Sequence, residues 1–77
     1  MYEYSICNQV DVEIYRKQCA ALERHVSGLK KEKELIDVDG SAIQGYTLHG
    51  KRITVHNSFY ANEVYVKSEI ELEQYFK

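Results

Sequence analysis

The chain has 77 residues, no proline, 44 % hydrophobic residues including seven tyrosines among its aromatics, and a formal net charge of -2. A chain this short makes one domain and buries only about 60–65 % of its unfolded surface, which leaves little room for a deep catalytic cleft. The apolar content argues against disorder, and the near-neutral charge gives no bulk attraction to nucleic acid or anionic lipid.

Residues Tyr2 to Cys7 alternate, with Tyr2, Tyr4 and Ile6 on one side and Glu3, Ser5 and Cys7 on the other, the pattern of a half-buried strand. The segment that follows is the longest periodic stretch. Val12, Tyr15, Cys19, Leu22, Val26 and Leu29 recur at alternating steps of three and four and gather on one stripe of a helix, while Glu13, Arg16, Lys17, Glu23 and Arg24 fall on the other side. Asp11 is placed to accept from the free amides of the first turn, and Glu13 puts negative charge at the positive end of the dipole. Gly28 predicts a break, although the helix could also continue into Lys30-Lys31-Glu32-Lys33-Glu34 at a cost of about 1 kcal/mol.

Leu35 to Val38 reads as a short strand closed by Asp39-Gly40, a dipeptide that tolerates positive φ. Ala42 to His49 and Arg52 to Asn57 then form a hairpin. With Gly50-Lys51 as a two-residue loop, Leu48 faces Ile53, Tyr46 faces Val55 and Thr47 faces Thr54. A second loop, Ser58 to Ala61, sets Val64 opposite Val55 and Val66 opposite Ile53, so one face stays apolar across three strands. Ile43 falls on the wrong side of this register, which points to a bulge at Gly45. Ser68-Glu69-Ile70-Glu71 is a capping-box pattern for a short terminal helix whose apolar edge is Ile70 with Tyr75 or Phe76.

The expected fold is a single α+β domain over residues 1–77: an antiparallel meander of three to five strands packed on one long amphipathic helix, with a short C-terminal helix, in the order β-α-β-β-β-α. No membrane-length apolar run or signal-peptide pattern is visible, so a cytoplasmic chain is expected. Cys7 and Cys19 read as reduced structural thiols.

The residues offer little for catalysis. Cys7, Cys19, His25, His49 and His56 fall into none of the usual zinc spacings, and no serine lies in a nucleophile elbow. The four glycines are isolated turn or bulge markers rather than a phosphate loop. No cofactor, metal or enzymatic activity is expected. In the register above, His49 lies beside Arg52 and His56 beside Glu63 on the outer face.

Two surfaces suit binding. The tip Phe59-Tyr60 places two large aromatics in a loop, where either Phe59 folds back under the terminal helix or the pair anchors a protein partner. Beside it lies an open sheet face carrying Thr47, His49, Arg52, Thr54, His56, Glu63, Tyr65 and Lys67. The partner-binding candidates are therefore Phe59, Tyr60, Thr54, His56, Glu63 and Tyr65. The alternative is a single-stranded nucleic-acid or nucleoprotein site using Lys30, Lys31, Lys33, Arg52 and Lys67, with Tyr65 for base stacking. A third reading is a homo-oligomer, with an unpaired edge at Tyr2 to Cys7 adding to a neighbour's sheet.

The run Glu63-Val64-Tyr65-Val66-Lys67-Ser68-Glu69-Ile70-Glu71-Leu72-Glu73-Gln74-Tyr75-Phe76, a last strand turning through a serine cap into a short Glu-Leu-x-x-Tyr-Phe helix, resembles small accessory proteins of phages and mobile elements, anti-CRISPR proteins among them. The resemblance implies a stoichiometric inhibitor that occupies a surface of a host defence complex. Such proteins share no common motif, so it assigns no functional residue. The expected function is thus a small non-enzymatic protein-binding module, a regulator or inhibitor of a larger intracellular complex.

Overall fold

The computed structural model describes residues 1–75; Phe76, named above for the terminal apolar edge, lies outside them. One helix crosses one face of a fully antiparallel sheet. The order is β1 (Tyr2–Cys7), α1 (Val12–His25), β2 (Lys30–Lys31), β3 (Leu35–Ile36), β4 (Ala42–Leu48), β5 (Lys51–Ser58) and β6 (Glu63–Ser68), followed by a 3-10 turn at Glu73–Tyr75. In space the strands run β1-β6-β5-β4, and β2 and β3 lie in succession along the outer edge of β4. The first strand thus pairs with the last, and α1 carries the chain from one edge of the sheet to the other.

The helix begins where the sequence marks it. Asp11 accepts from the Ile14 amide at 3.0 Å, and its own amide donates to Asn57 Oδ1 at 3.1 Å, which fixes the helix start to β5. Its buried face is Tyr15, Cys19, Leu22 and Val26, packed on Tyr46, Leu48, Ile53, Val55, Val64 and Val66. Val12, expected on that stripe, is 54 % exposed, and Ile14 packs against the core instead. Val12 is the first residue of the helix, and Ile14, two positions on, takes the core contact. The helix closes at Val26, whose amide donates to Leu22 O, and Gly28 adopts φ +82°, the break that its position predicts.

Beyond the break the chain does not remain a solvated charged loop. Lys30 pairs with Thr47 and Lys31 with Tyr46, so the basic run opens as a two-residue edge strand. Glu32 then donates its amide to Gly45 O at 2.9 Å, and the buried Gln44 side chain ties the same segment by donating to Glu32 O at 2.6 Å. Two tyrosine hydroxyls complete the tie: Tyr15 to Glu34 at 2.6 Å and Tyr46 to Glu23 at 2.7 Å. At the next turn Gly40, at φ +91°, donates to Asp37 O, and the Asp37 amide donates to Ser41 O. This is a three-residue loop whose glycine alone needs the left-handed region.

Both hairpins pair two residues away from the expected register. The turn of the first is His49-Gly50, with φ of 52° and 81°, so Leu48 faces Lys51, Tyr46 faces Ile53 and Gln44 faces Val55. In the second, Val55 faces Val66 and Asn57 faces Val64 across the loop 59–62. A shift of two preserves which face each side chain takes, because the strand period is two. The apolar face therefore survives although every named partner changes. Gly45 makes no bulge: it pairs in register with Thr54, and Ile43 is an open-face residue opposite His56. The bulge is in β1, between Ser5 and Cys7, where it turns Cys7 to face Val64.

The expected C-terminal helix is absent from the described residues, which form only the turn Glu73–Tyr75. Ser68 ends β6, fully buried, and its hydroxyl accepts from the Ile70 amide and donates to Ile70 O, a local turn that competes with a helix cap. Glu69 bonds β5 instead, its carboxylate accepting from the Arg52 amide at 2.6 Å. Leu72 is buried, with its amide donating to Tyr4 Oη at 2.9 Å. No helix among the described residues is long and apolar enough to cross a membrane.

Candidate functional site

With α1 on one side, the other face of the sheet presents side chains in cross-strand rows fixed by the register. One row is Lys30, Thr47 and Arg52. The next holds Gly45, Thr54, Lys67 and Glu3. The third is Leu35, Ile43, His56, Tyr65 and Ser5, an apolar and aromatic strip that crosses the sheet from β3 to β1. Leu35 is 61 % exposed. His56 and Tyr65 are half-buried and stack on each other, ring centroids 4.4 Å apart and planes 5° from parallel.

The stack is held from both ends. Thr54 Oγ1 and His56 Nε2 share a hydrogen bond of 2.8 Å, and Lys67 Nζ lies 5.7 Å from the Tyr65 ring centroid, a cation–π distance. Burial, and secondarily the Lys67 charge, hold the His56 imidazole below its ordinary value, against a smaller opposing pull from Glu3. The expected neighbour of His56 was Glu63, but Glu63 pairs with Ser58. His49, expected beside Arg52 on this face, occupies the turn itself.

The aromatic tip adjoins the strip. Phe59 is 47 % exposed and rests on the Asp39-Gly40 turn, with its amide donating to the Ser41 hydroxyl at 2.9 Å. Its ring contacts Gly40 and does not go under a terminal helix. Tyr60 is 97 % exposed. Between this tip and the turn lies a groove of about 180 Å³ lined by Asp37, Asp39, Ser41, Ile43, His56, Tyr60 and Tyr65, among others.

The basic residues of the nucleic-acid alternative are dispersed. Arg52 forms an ion pair with Glu32 at 3.0 Å across the side chain-free Gly45, and Lys31 lies 3.4 Å from Glu23 on the helix side of the sheet. Lys67 sits at Tyr65, Lys30 takes the far row, and Lys33 is exposed in the loop between β2 and β3. A stacked base would have to displace His56 from one face of Tyr65.

On the helix side a second, polar gap is lined by Tyr15, Arg16, Cys19, Glu23, Lys31, Glu34 and Gln44. Burial pushes the Cys19 thiol above its ordinary value, so it holds its proton. The Tyr46 hydroxyl, together with Lys31, keeps Glu23 below the ordinary carboxylate range. Its bonds tie helix to edge strand. Among the described residues no group of three or more His, Cys, Asp or Glu is placed to hold a metal ion.

Leu35 and Ile43 are the site residues that sequence reasoning missed. Ile43 carries the signal: its position out of phase with the core face marks an apolar residue facing outward, not a bulge. Compared with known proteins, the chain matches no protein family, no curated protein and no solved structure.

Proposed function

We propose that this chain is a small non-enzymatic binding module that docks on a protein partner through the open face of its sheet, and so regulates or inhibits a larger intracellular complex. The observation that carries the reading is the strip Leu35, Ile43, His56 and Tyr65 running into the exposed tip Phe59-Tyr60. Contiguous apolar and aromatic surface on a small domain marks an interaction site, and aromatics concentrate binding energy in interfaces.

The test is a tagged chain carrying Leu35→Ser and Tyr60→Ser. Both side chains are mostly in water, so the melting temperature should stay within about 4 °C of the parent. Capture of a specific protein partner from cytoplasmic extract should be lost. Undiminished capture by the double variant would contradict the proposal, and an oligonucleotide bound with steep salt dependence would favour the nucleic-acid alternative. Light scattering at twice the monomer mass would favour self-association through the outer edge of β1.

A further inference from the structure

We propose that the groove between the Asp37 turn and Tyr60 receives an arginine side chain of the protein partner. This inference rests on the open face being a docking surface, and it specifies the chemistry of one contact there.

The groove has one sign of charge. Asp37 and Asp39 stand on one wall, and no lysine or arginine among the described residues lines it. Among the described residues neither carboxylate has an ion-pair partner: Asp37 Oδ1 accepts the adjacent Val38 amide at 2.7 Å, and Asp39 Oδ1 accepts the Ser41 amide at 2.8 Å, with the Ser41 hydroxyl also bonded to the Asp39 carboxylate. Each carboxylate shapes its own turn. The opposite wall is aromatic, and its rings are not equivalent. Tyr65 is already occupied, by His56 stacked at 4.4 Å and by the Lys67 ammonium near its ring. Tyr60 is almost wholly in water and has no ring partner among the described residues, which leaves it the free aromatic surface of the groove.

A group that satisfies both walls must be cationic on one side and flat and weakly hydrated on its face. Guanidinium meets both requirements: it bonds carboxylates through a planar fork and stacks on tyrosine, whereas an ammonium is a compact, strongly hydrated charge. The groove volume of about 180 Å³ suits one side chain, not a whole peptide. The apolar strip beside it would take the neighbouring residues of the partner.

The experiment titrates the isotope-labelled full chain with the peptide acetyl-Gly-Arg-Gly-amide, its lysine counterpart and its citrulline counterpart, reading backbone amide shifts by NMR. The arginine peptide should move the amides of residues 37–41, His56, Tyr60 and Tyr65. The citrulline peptide, isosteric but uncharged, should bind at least about tenfold more weakly, and lysine should fall between them. A chain with Asp37→Asn and Asp39→Ser keeps a side-chain oxygen for each turn and should lose the response to arginine. Leu35→Ser lies outside the groove and should retain it. Equal shifts from arginine and citrulline, shifts confined to another surface, or none up to about 50 mM peptide would overturn the inference. If the groove variant loses the peptide but still captures the same partner as the parent, the arginine contact is refuted while the docking face stands. Should Leu35→Ser with Tyr60→Ser leave capture intact, it is the docking face that fails.

Discussion

Leu22→Ala is expected to lower stability by about 3 kcal/mol, while Val12→Ala on the same helix should change it by less than about 0.5 kcal/mol. Leu22 has no exposed surface and is part of the core cluster between α1 and the sheet. Truncation removes its contacts and leaves a cavity that neither a helix nor a hydrogen-bonded sheet can collapse to fill. For a domain whose total stability is on the order of 5–10 kcal/mol, the loss corresponds to a melting temperature lower by roughly 10–20 °C. Val12 sits in the same sequence pattern but mostly in water. Chemical denaturation of the two variants therefore measures the phase of the helix. Comparable losses for both would mean that the first turn is rotated from the position described.

The second large effect is expected at Asn57→Ala, at about 2 kcal/mol. Asn57 is 1 % exposed, yet it stands on the helix side of the sheet among apolar residues, opposite Val64. Its Oδ1 receives the Asp11 amide, so one side chain joins the middle of the sheet to the start of the only α-helix among the described residues. Alanine leaves the part-buried amide without that acceptor and opens space at the helix end. Asn57→Asp restores an acceptor and should recover part of the loss at neutral pH. A shift of under about 0.5 kcal/mol for alanine, read by denaturant unfolding, would mean that water replaces the amide and that the junction contributes little.

How far the sequence could be read depended on the range of the forces involved. The helix and its start were legible because Asp11, the charge in the first turn and the apolar stripe all act within a few residues of each other. The faces of β4, β5 and β6 were legible as well, since alternation encodes facing. Pairing was not. Moving the loop from Gly50-Lys51 to His49-Gly50 shifts the register by two and leaves the alternation unchanged, so only the turn geometry decides, and positive φ is uncommon at any residue other than glycine, even at histidine, which adopts it more readily than most. Lys30 and Lys31 look like solvated charge in one dimension. In the fold their backbone completes the edge of β4 while Lys31 finds Glu23 on a helix nearby in space.

The C-terminal misreading has the same origin. Ser68, followed by Glu71, satisfies a local helix-start pattern, but the serine is held by β5 and β1, which pair with it through Ile53 and Tyr2. Its hydroxyl then closes a turn on Ile70 instead of capping a helix. At the candidate site, the tip Phe59-Tyr60 and the His56, Tyr65 and Thr54 cluster were visible as open-face chemistry. The stack between the two rings and the strip through Leu35 and Ile43 required the true register, which places His56 opposite Tyr65 instead of Glu63.

The proposed docking surface is the sheet face turned away from the helix. Hydroxyl-radical footprinting of the free chain and of its captured complex reads side chains on both faces in one measurement. The predicted result is protection of Leu35, Phe59, Tyr60 and Tyr65, with Val12 on the helix side as reactive as before. Protection of Val12 while Tyr60 and Leu35 keep their free-chain reactivity would contradict it.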